Sequence, residues 1–389
     1  MSRIDDLIKE LCPDGVEFVC LDEVASLQRG SAITKKDITP GDVPVVAGGQ
    51  RPAYFHSESN RSAHTVVVAG SGAYAGFVSF WSVPIFVSDA FSIEPLGDEV
   101  ISKYIFYILK NRQAELHNLK RGSGVPHVYS RDVARWKIPI PPLEVQKEIV
   151  RVLDLFTELE AELEAELEAR KKQYEYYRNT LLTFGDSAAW KPMGEVGELI
   201  RGNGLQKKDF TEEGFPCIHY GQIYTYYGTF AKETKSFVSC SLAEKLVKAE
   251  CGDVIITNTS ENINDVGKAV AWCGRQAVAT GGHATVFKPK LVSGKYFAYY
   301  CQTGNFYKEK KRYAKGTKVI DVSTKDMSKI KIPVPSLERQ KQIVSILDKF
   351  EKLTNDISVG LPAEIESRRK QYEYYRNKLL TFKELECSR

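Results

Sequence analysis

The side chains of this chain that could do chemistry gather in loops, and their chemistry is that of binding. Among the 389 residues there is no GxxxxGKS/T phosphate loop, no GxSxG nucleophile turn, no HExxH metal pair and no Asn/Asp-Pro-Pro-Tyr/Phe string of the kind that holds a flipped base. Asn258-Thr259-Ser260 and Asn262-Ile263-Asn264 share only the opening asparagine with that last string. No glycine-rich loop for a methionine-derived cofactor appears either. What stands out instead are polar, cationic loops. In the first half these are Arg29, Lys35 and Lys36, then Gly70-Ser71-Gly72 with Tyr74, then Lys120-Arg121-Gly122-Ser123-Gly124-Val125-Pro126-His127. In the second half they are Arg201, Lys207 and Lys208, then His219, Gln222, Tyr224, Asn258 and Asn262, then the run from Lys310 through Lys315 and Thr317 to Lys318. Cations of this kind hold phosphates, while Gln, Asn and His read base edges. The competing reading of each is a solvated loop, and a lone histidine such as His127 or His283 is more often structural. A net charge of +4 neither demands nor excludes a polyanion, so the case rests on these patches. The eight cysteines form no CxxC and no metal-spaced cluster with His, which predicts a reduced cytoplasmic protein holding no metal. No apolar run is long enough for a signal core or a membrane span.

These loops need a frame, and the sequence supplies it twice. Lys137-Ile138-Pro139-Ile140-Pro141-Pro142-Leu143-Glu144 returns as Lys331-Ile332-Pro333-Val334-Pro335-Ser336-Leu337-Glu338, and Gln173-Tyr174-Glu175-Tyr176-Tyr177-Arg178-Asn179 returns as Gln371-Tyr372-Glu373-Tyr374-Tyr375-Arg376-Asn377. The first string recurs after 194 residues and the second after 198, so the second copy carries four extra residues between them. Ahead of each pair lie short β-rich runs broken by Gly and Pro, such as His64–Ala69 and Asp253–Thr257, followed by a helix over 102–119 and another opening at Gly294. Between fixed points such as Arg29-Gly30 and Arg201-Gly202 the loops of the two copies disagree almost completely.

Each Pro-rich entry is extended, because a residue before proline is pushed out of the helical region, and a long amphipathic helix follows. Its stripe in the first copy runs through Phe156, Leu159, Leu163, Leu167, Tyr174 and Tyr177, and in the second through Phe350, Leu353, Ile357, Tyr372 and Tyr375. This spacing predicts helix packing for the tyrosines rather than base stacking. About 40 residues at 1.5 Å span roughly 60 Å. Three tandem Glu-Leu-Glu-Ala units over Glu158–Ala169 form the middle of the first helix, and their glutamates read as a solvated face that repels DNA. Gly360-Leu361-Pro362 predicts a kink or break in the second.

The tandem head-and-helix layout, the PxPxLExQxxIV entry, the QYEYYRNxLLTF exit and the tetrad repeat together resemble the DNA-specificity subunit of type I restriction-modification systems. The resemblance spans essentially the whole chain. It implies an α+β fold with two β-rich mixed target-recognition domains, separated by a pair of long helices packed as an antiparallel coiled coil. The expected division is residues 1–140, domain 1; 141–186, spacer helix 1; 187–333, domain 2; and 334–389, spacer helix 2 with the tail. The resemblance further implies recognition of a bipartite target in double-stranded DNA, docking of two methyltransferase subunits, and motor/nuclease subunits completing the complex. It implies no catalysis and no cofactor of the chain's own: S-adenosylmethionine, ATP and Mg belong to the partners. The alternative is a tandem scaffold whose variable heads bind proteins or another polymer.

Overall fold

A computed structural model describes residues 3–185, 188–356 and 358–386. Contacts divide the chain into two compact units, Met1–Glu164 with Glu364–Arg389, and Ala165–Ala363.

In the first unit the β-branched run Thr65–Ala69, buried at every position, is an inner strand. Its sheet runs in the order Ala25–Arg29, Ala90–Pro95, Thr65–Ala69, Val78–Trp81, antiparallel throughout, with Val66 opposite Ile93. Ser102–Asn111 packs on it through the buried Tyr104, Ile105 and Leu109. The helix expected over 102–119 is broken at Arg112, whose φ of −97° and ψ of 23° leave helical geometry before a second segment, Gln113–Asn118.

The second unit repeats the frame. Gly197–Arg201, Ala284–Pro289, Val254–Thr257 and Ala269–Trp272 lie in the same order, with Phe230–Ala231 added as a parallel fifth strand. Here Ile255 faces Val286, and Gly294–Tyr300 covers the sheet with Tyr296, Phe297 and Tyr300 buried.

One set of buried hydrogen bonds, made twice, joins each sheet domain to the helix after it. Gln146 accepts from the Ile101 N–H at 3.0 Å and donates to the Glu99 and Pro141 carbonyls, while Gln340 accepts from Ser293 and donates to Leu291 and Pro335. Tyr104 and Tyr296 donate to the carbonyls of Pro139 and Pro333, and Tyr107 with Lys103 grips Asp154 as Tyr299 with Lys295 grips Asp348. The strand that closes each domain also repeats, Glu17–Cys20 on Lys137–Ile140 and Ala189–Pro192 on Lys331–Val334.

The first long helix is continuous from Leu143 to Leu181. The second is two helices, Leu337–Asn355 and Leu361–Leu379. Between them Asp356 leaves the helical region at ψ 112° and its carboxylate accepts from Ser358. Pro362 then falls in the first turn of the new helix, where its missing N–H costs nothing. Within each unit the entry of one copy's helix packs on the exit string of the other copy. Phe156 lies 6.1 and 5.5 Å from the rings of Tyr372 and Tyr375 in the first unit, and Phe350 lies 6.1 and 5.5 Å from Tyr174 and Tyr177 in the second. Partner numbers fall as Phe156 gives way to Glu160 and Glu164 on Arg369, the sign of an antiparallel pair. Two of the tetrad glutamates, Glu160 and Glu164, are thus tied to Arg369, while Glu158, Glu162, Glu164, Glu166 and Glu168 remain on an exposed face. Leu163 is buried and Leu159 and Leu167 are half-buried, whereas Leu353 is exposed on the surface and Ile357 lies outside the described residues. Among the described residues no helix is long and apolar enough to cross a membrane.

Candidate nucleic-acid interface

In each domain two loops at the ends of buried elements are zipped together, and this pairing carries most of the candidate residues. In the first unit the turn after Ala69 meets the segment after Asn118: Val128 donates to the Gly70 carbonyl at 3.0 Å, Gly72 to Pro126 at 2.9 Å, and Ser71 bridges His127. Ser71 is buried and gives its hydroxyl to Asp89, so it braces the turn rather than facing solvent. Tyr74 and Ser123 stand exposed beside it, and His127 stacks on Tyr129 at 6.0 Å. Arg121 pairs with Asp132 at 3.2 Å. Arg29 ends its strand exposed, and Lys35 and Lys36 are exposed in the loop beyond, with Lys35 5.7 Å above the Tyr54 ring.

The second unit gathers its candidates around an open cleft of about 700 Å³. Lys207, His219, Gln222, Tyr224 and Asn262 line it, together with Tyr220 and His283. Thr259–Ser260 pairs with Ile320–Asp321 on one flank. Gln222 holds its own helix start, accepting from the His219 N–H at 3.0 Å and donating to Ser236 at 2.7 Å. His219 is buried, caps the same helix by accepting from Gly221, and lies 4.4 Å from the Tyr220 ring. Burial first, then Lys207 and His283, lowers its pKa to about 4, which keeps the ring neutral. Tyr224 reaches the Thr259 carbonyl and Asn262 accepts from Asn264. Glu261 and Asp265 share the cleft and offer acceptors for exocyclic amines.

Four sequence expectations change here. Asn258, read as a base reader, is fully buried: it donates to the Val322 carbonyl at 2.8 Å and accepts from Thr285 at 2.9 Å, so it fastens the floor of the loop. Lys310, read as part of a surface cationic run, is also buried and donates to the carbonyls of Val266 and Asn264. Burial lowers its pKa to about 8. Lys315 is pinned by Asp326 at 3.1 Å, and Arg201 donates to the Gly282 carbonyl. Lys208, Thr317 and Lys318 remain exposed outside the cleft lining. Tyr220, which the sequence placed in the polar stretch Tyr220-Gly221-Gln222, and His283, which it read as structural, also line the cleft, and the one further signal for His283 was the Gly281-Gly282 pair ahead of it, which lets the backbone crowd Leu205 and Asn203. Cys20, Asp22 and Glu23 lie close enough to share an ion, but burial and Glu23 push the Cys20 thiol pKa up, away from the thiolate a metal needs.

Two α+β heads built on one strand order, each with its own loop surface, define a tandem recognition protein. The description "Type I restriction modification DNA specificity domain" matches residues 13–169 and again 189–367. The chain therefore belongs to the type I restriction-modification specificity family, whose members are non-catalytic recognition subunits, and it carries two copies of the specificity domain. It is similar to the EcoR124I/EcoR124II specificity subunit of Escherichia coli, 34% identical with 98% of each chain covered. A second relative is a putative type I specificity subunit of Haemophilus influenzae, 30% identical with 94% of this chain and 96% of that one covered. Among solved structures, the S subunit from M. genitalium shares the fold with a TM-score of 0.61 at 19% identity, over 94% of this chain and 96% of that one.

Proposed function

We propose that the chain recognises a bipartite, asymmetric duplex DNA target, one half-site per domain, and directs methyltransferase and motor/nuclease subunits to it. Residues 1–140 and 187–333 act as the two readers, and 141–186 and 334–389 as spacer and dock. The observation that carries this reading is the duplicated frame with unlike loops: Gly70-Ser71-Gly72 stands in one head where Asn258-Thr259-Ser260 stands in the other, at the end of the same inner strand. A protein that met one partner twice would have no need of two surfaces. Arg29, Lys35, Lys36, Lys207, Lys208 and Lys318 supply phosphate contacts, while Gln222, Tyr224 and Asn262 line a cleft with room for base edges.

The exits of the long helices support two equivalent docking sites. Tyr176 and Tyr374 are 66% and 63% exposed at matching positions, an arrangement suited to two copies of one methyltransferase subunit. S-adenosylmethionine, ATP and Mg belong to those partners. Methylation-aware sequencing of a host with and without this gene is the test. The expected result is a motif of two short blocks around a gap of fixed length that vanishes with the gene; a single contiguous block, or no dependent motif, refutes the reading.

A further inference from the structure

One loop departs from the general divergence of the two heads. Residues 121–128 and 315–322 stand 194 apart and fold as the same hairpin. Arg121 and His127 exchange backbone bonds of 2.9 and 2.8 Å, as do Lys315 and Asp321. Each turn is entered through a glycine in the left-handed region, Gly122 at φ 109° and Gly316 at 102°. A Cβ on either would come within 2.9 and 2.0 Å of the Val125 and Val319 carbonyl oxygens. The leading cation of each hairpin is tied to an aspartate of the next short helix, Arg121 to Asp132 and Lys315 to Asp326.

The tips agree in chemistry where their neighbours do not. Both carry an exposed hydroxyl, Ser123 and Thr317, and two residues later a valine that is 56% exposed in one copy and 59% in the other. Around them Gly124 faces Lys318, Pro126 faces Ile320 and His127 faces Asp321. Among the described residues the backbone N–H groups of 123–125 and of 317–319 meet no acceptor. A single exposed valine is ordinary. The same valine, equally exposed on the same turn in two heads whose other loops have diverged, calls for a common partner.

Two unlike half-sites have the sugar-phosphate backbone in common. We propose that the two hairpins are the sequence-independent grip on duplex DNA, a role that rests on the split-site reading. The hydroxyl and the free N–H groups of each tip take a phosphate oxygen, and the valine packs on the apolar face of the adjoining deoxyribose. Arg121 and Lys315, neutralised by their aspartates, hold the hairpin upright. A protein subunit docked twice would also meet two like patches. A cluster of unpaired donors, with Val319 on the rim of the cleft that holds the candidate readers, is an anion receptor and favours DNA.

The test uses the full chain assembled with its methyltransferase subunits. Ser123→Ala with Thr317→Ala, and separately Val125→Ser with Val319→Ser, change exposed side chains only. Each pair is expected to weaken binding to the target and to an unrelated duplex by the same factor, roughly tenfold for two lost contacts, with the methylated motif unchanged. A methylphosphonate at the gripped phosphate weakens the wild type but adds little to the hydroxyl-less variant. An altered motif would make these residues base readers and overturn the proposal. So would unchanged affinity, or poorer retention of methyltransferase subunits at unchanged DNA affinity. A wild-type complex with no preference among duplexes would instead fail the split-site reading itself.

Discussion

His219 shows how a residue type misleads when its surroundings are unknown. From sequence it is a polar ring beside tyrosines, a candidate for base contact; in the fold its Nδ1 is occupied by the Gly221 N–H and its environment disfavours the charged form. Its pKa falls from an ordinary 6.5 to about 4 in the folded chain. The unfolded chain therefore binds a proton between those values while the native one does not, and stability is full above pH 6.5 and drains away as pH falls towards 4. Urea unfolding of the second unit, followed through Trp190 and Trp272 in a chain carrying Trp81→Phe and Trp136→Phe, should show a lower midpoint at pH 5 than at pH 7. His219→Gln should flatten that difference; an equal loss in the variant would place its origin elsewhere. Asn258 and Lys310 teach the same lesson. Each looked like surface chemistry because polar and charged side chains are rarely buried, yet both are the partners of otherwise unpaired carbonyls beneath the candidate readers.

Helices and inner strands were legible as elements because periodicity and β-branching are local properties. The breaks were less so: Arg112 interrupts its helix without a glycine or proline, while Gly360-Leu361-Pro362 announced its break. Which helix pairs with which came from the family resemblance and not from the stripe itself. An apolar stripe states that a partner exists, and the exchange of exit strings between copies is a tertiary choice made by Phe156 and Phe350. The glutamine locks were visible only as the repeated glutamine of the PxPxLExQ entry; the three backbone groups that each buried amide serves were not, because two of the three come from a distant loop. Gln146→Leu keeps the volume but strands the Ile101 N–H and two carbonyls, a loss of about 3 kcal/mol. Hydrogen exchange should rise by roughly a hundredfold at Ile101 and at the start of the long helix. Rates left at wild-type level would show that the lock bears little of the join.

At the scale of the molecule, the duplication told the architecture, and the tetrads carry the prediction of where it can be adjusted. Deleting Glu162–Ala165 removes about 6 Å of helix and rotates the C-terminal remainder of that helix by about 40°. It also brings Leu167 and Glu168 to the places of Leu163 and Glu164, so that Arg369 meets a glutamate as before. The deletion variant is expected to fold with wild-type stability, and its methylated motif to keep both blocks while the gap shortens by one or two base pairs, at about 3.4 Å each. An active variant with the original gap would exclude the helix as the measure of that distance. The reading loops, by contrast, were legible only as places: their positions come from the repeated frame, their specificity from contacts that no periodicity encodes.

The twice-made join has a wider consequence. Beside the apolar packing of Val145, Ile149 and Leu153 or of Ile343 and Leu347, a long helix asks of the domain before it Lys-Tyr-x-x-Tyr on one helix and a few backbone groups, met by Lys103, Tyr104 and Tyr107 or by Lys295, Tyr296 and Tyr299. None of these groups lies in the diverged loops. A plug and socket standardised in this way is expected to let a head be transplanted whole, with the chassis that receives it left as it is.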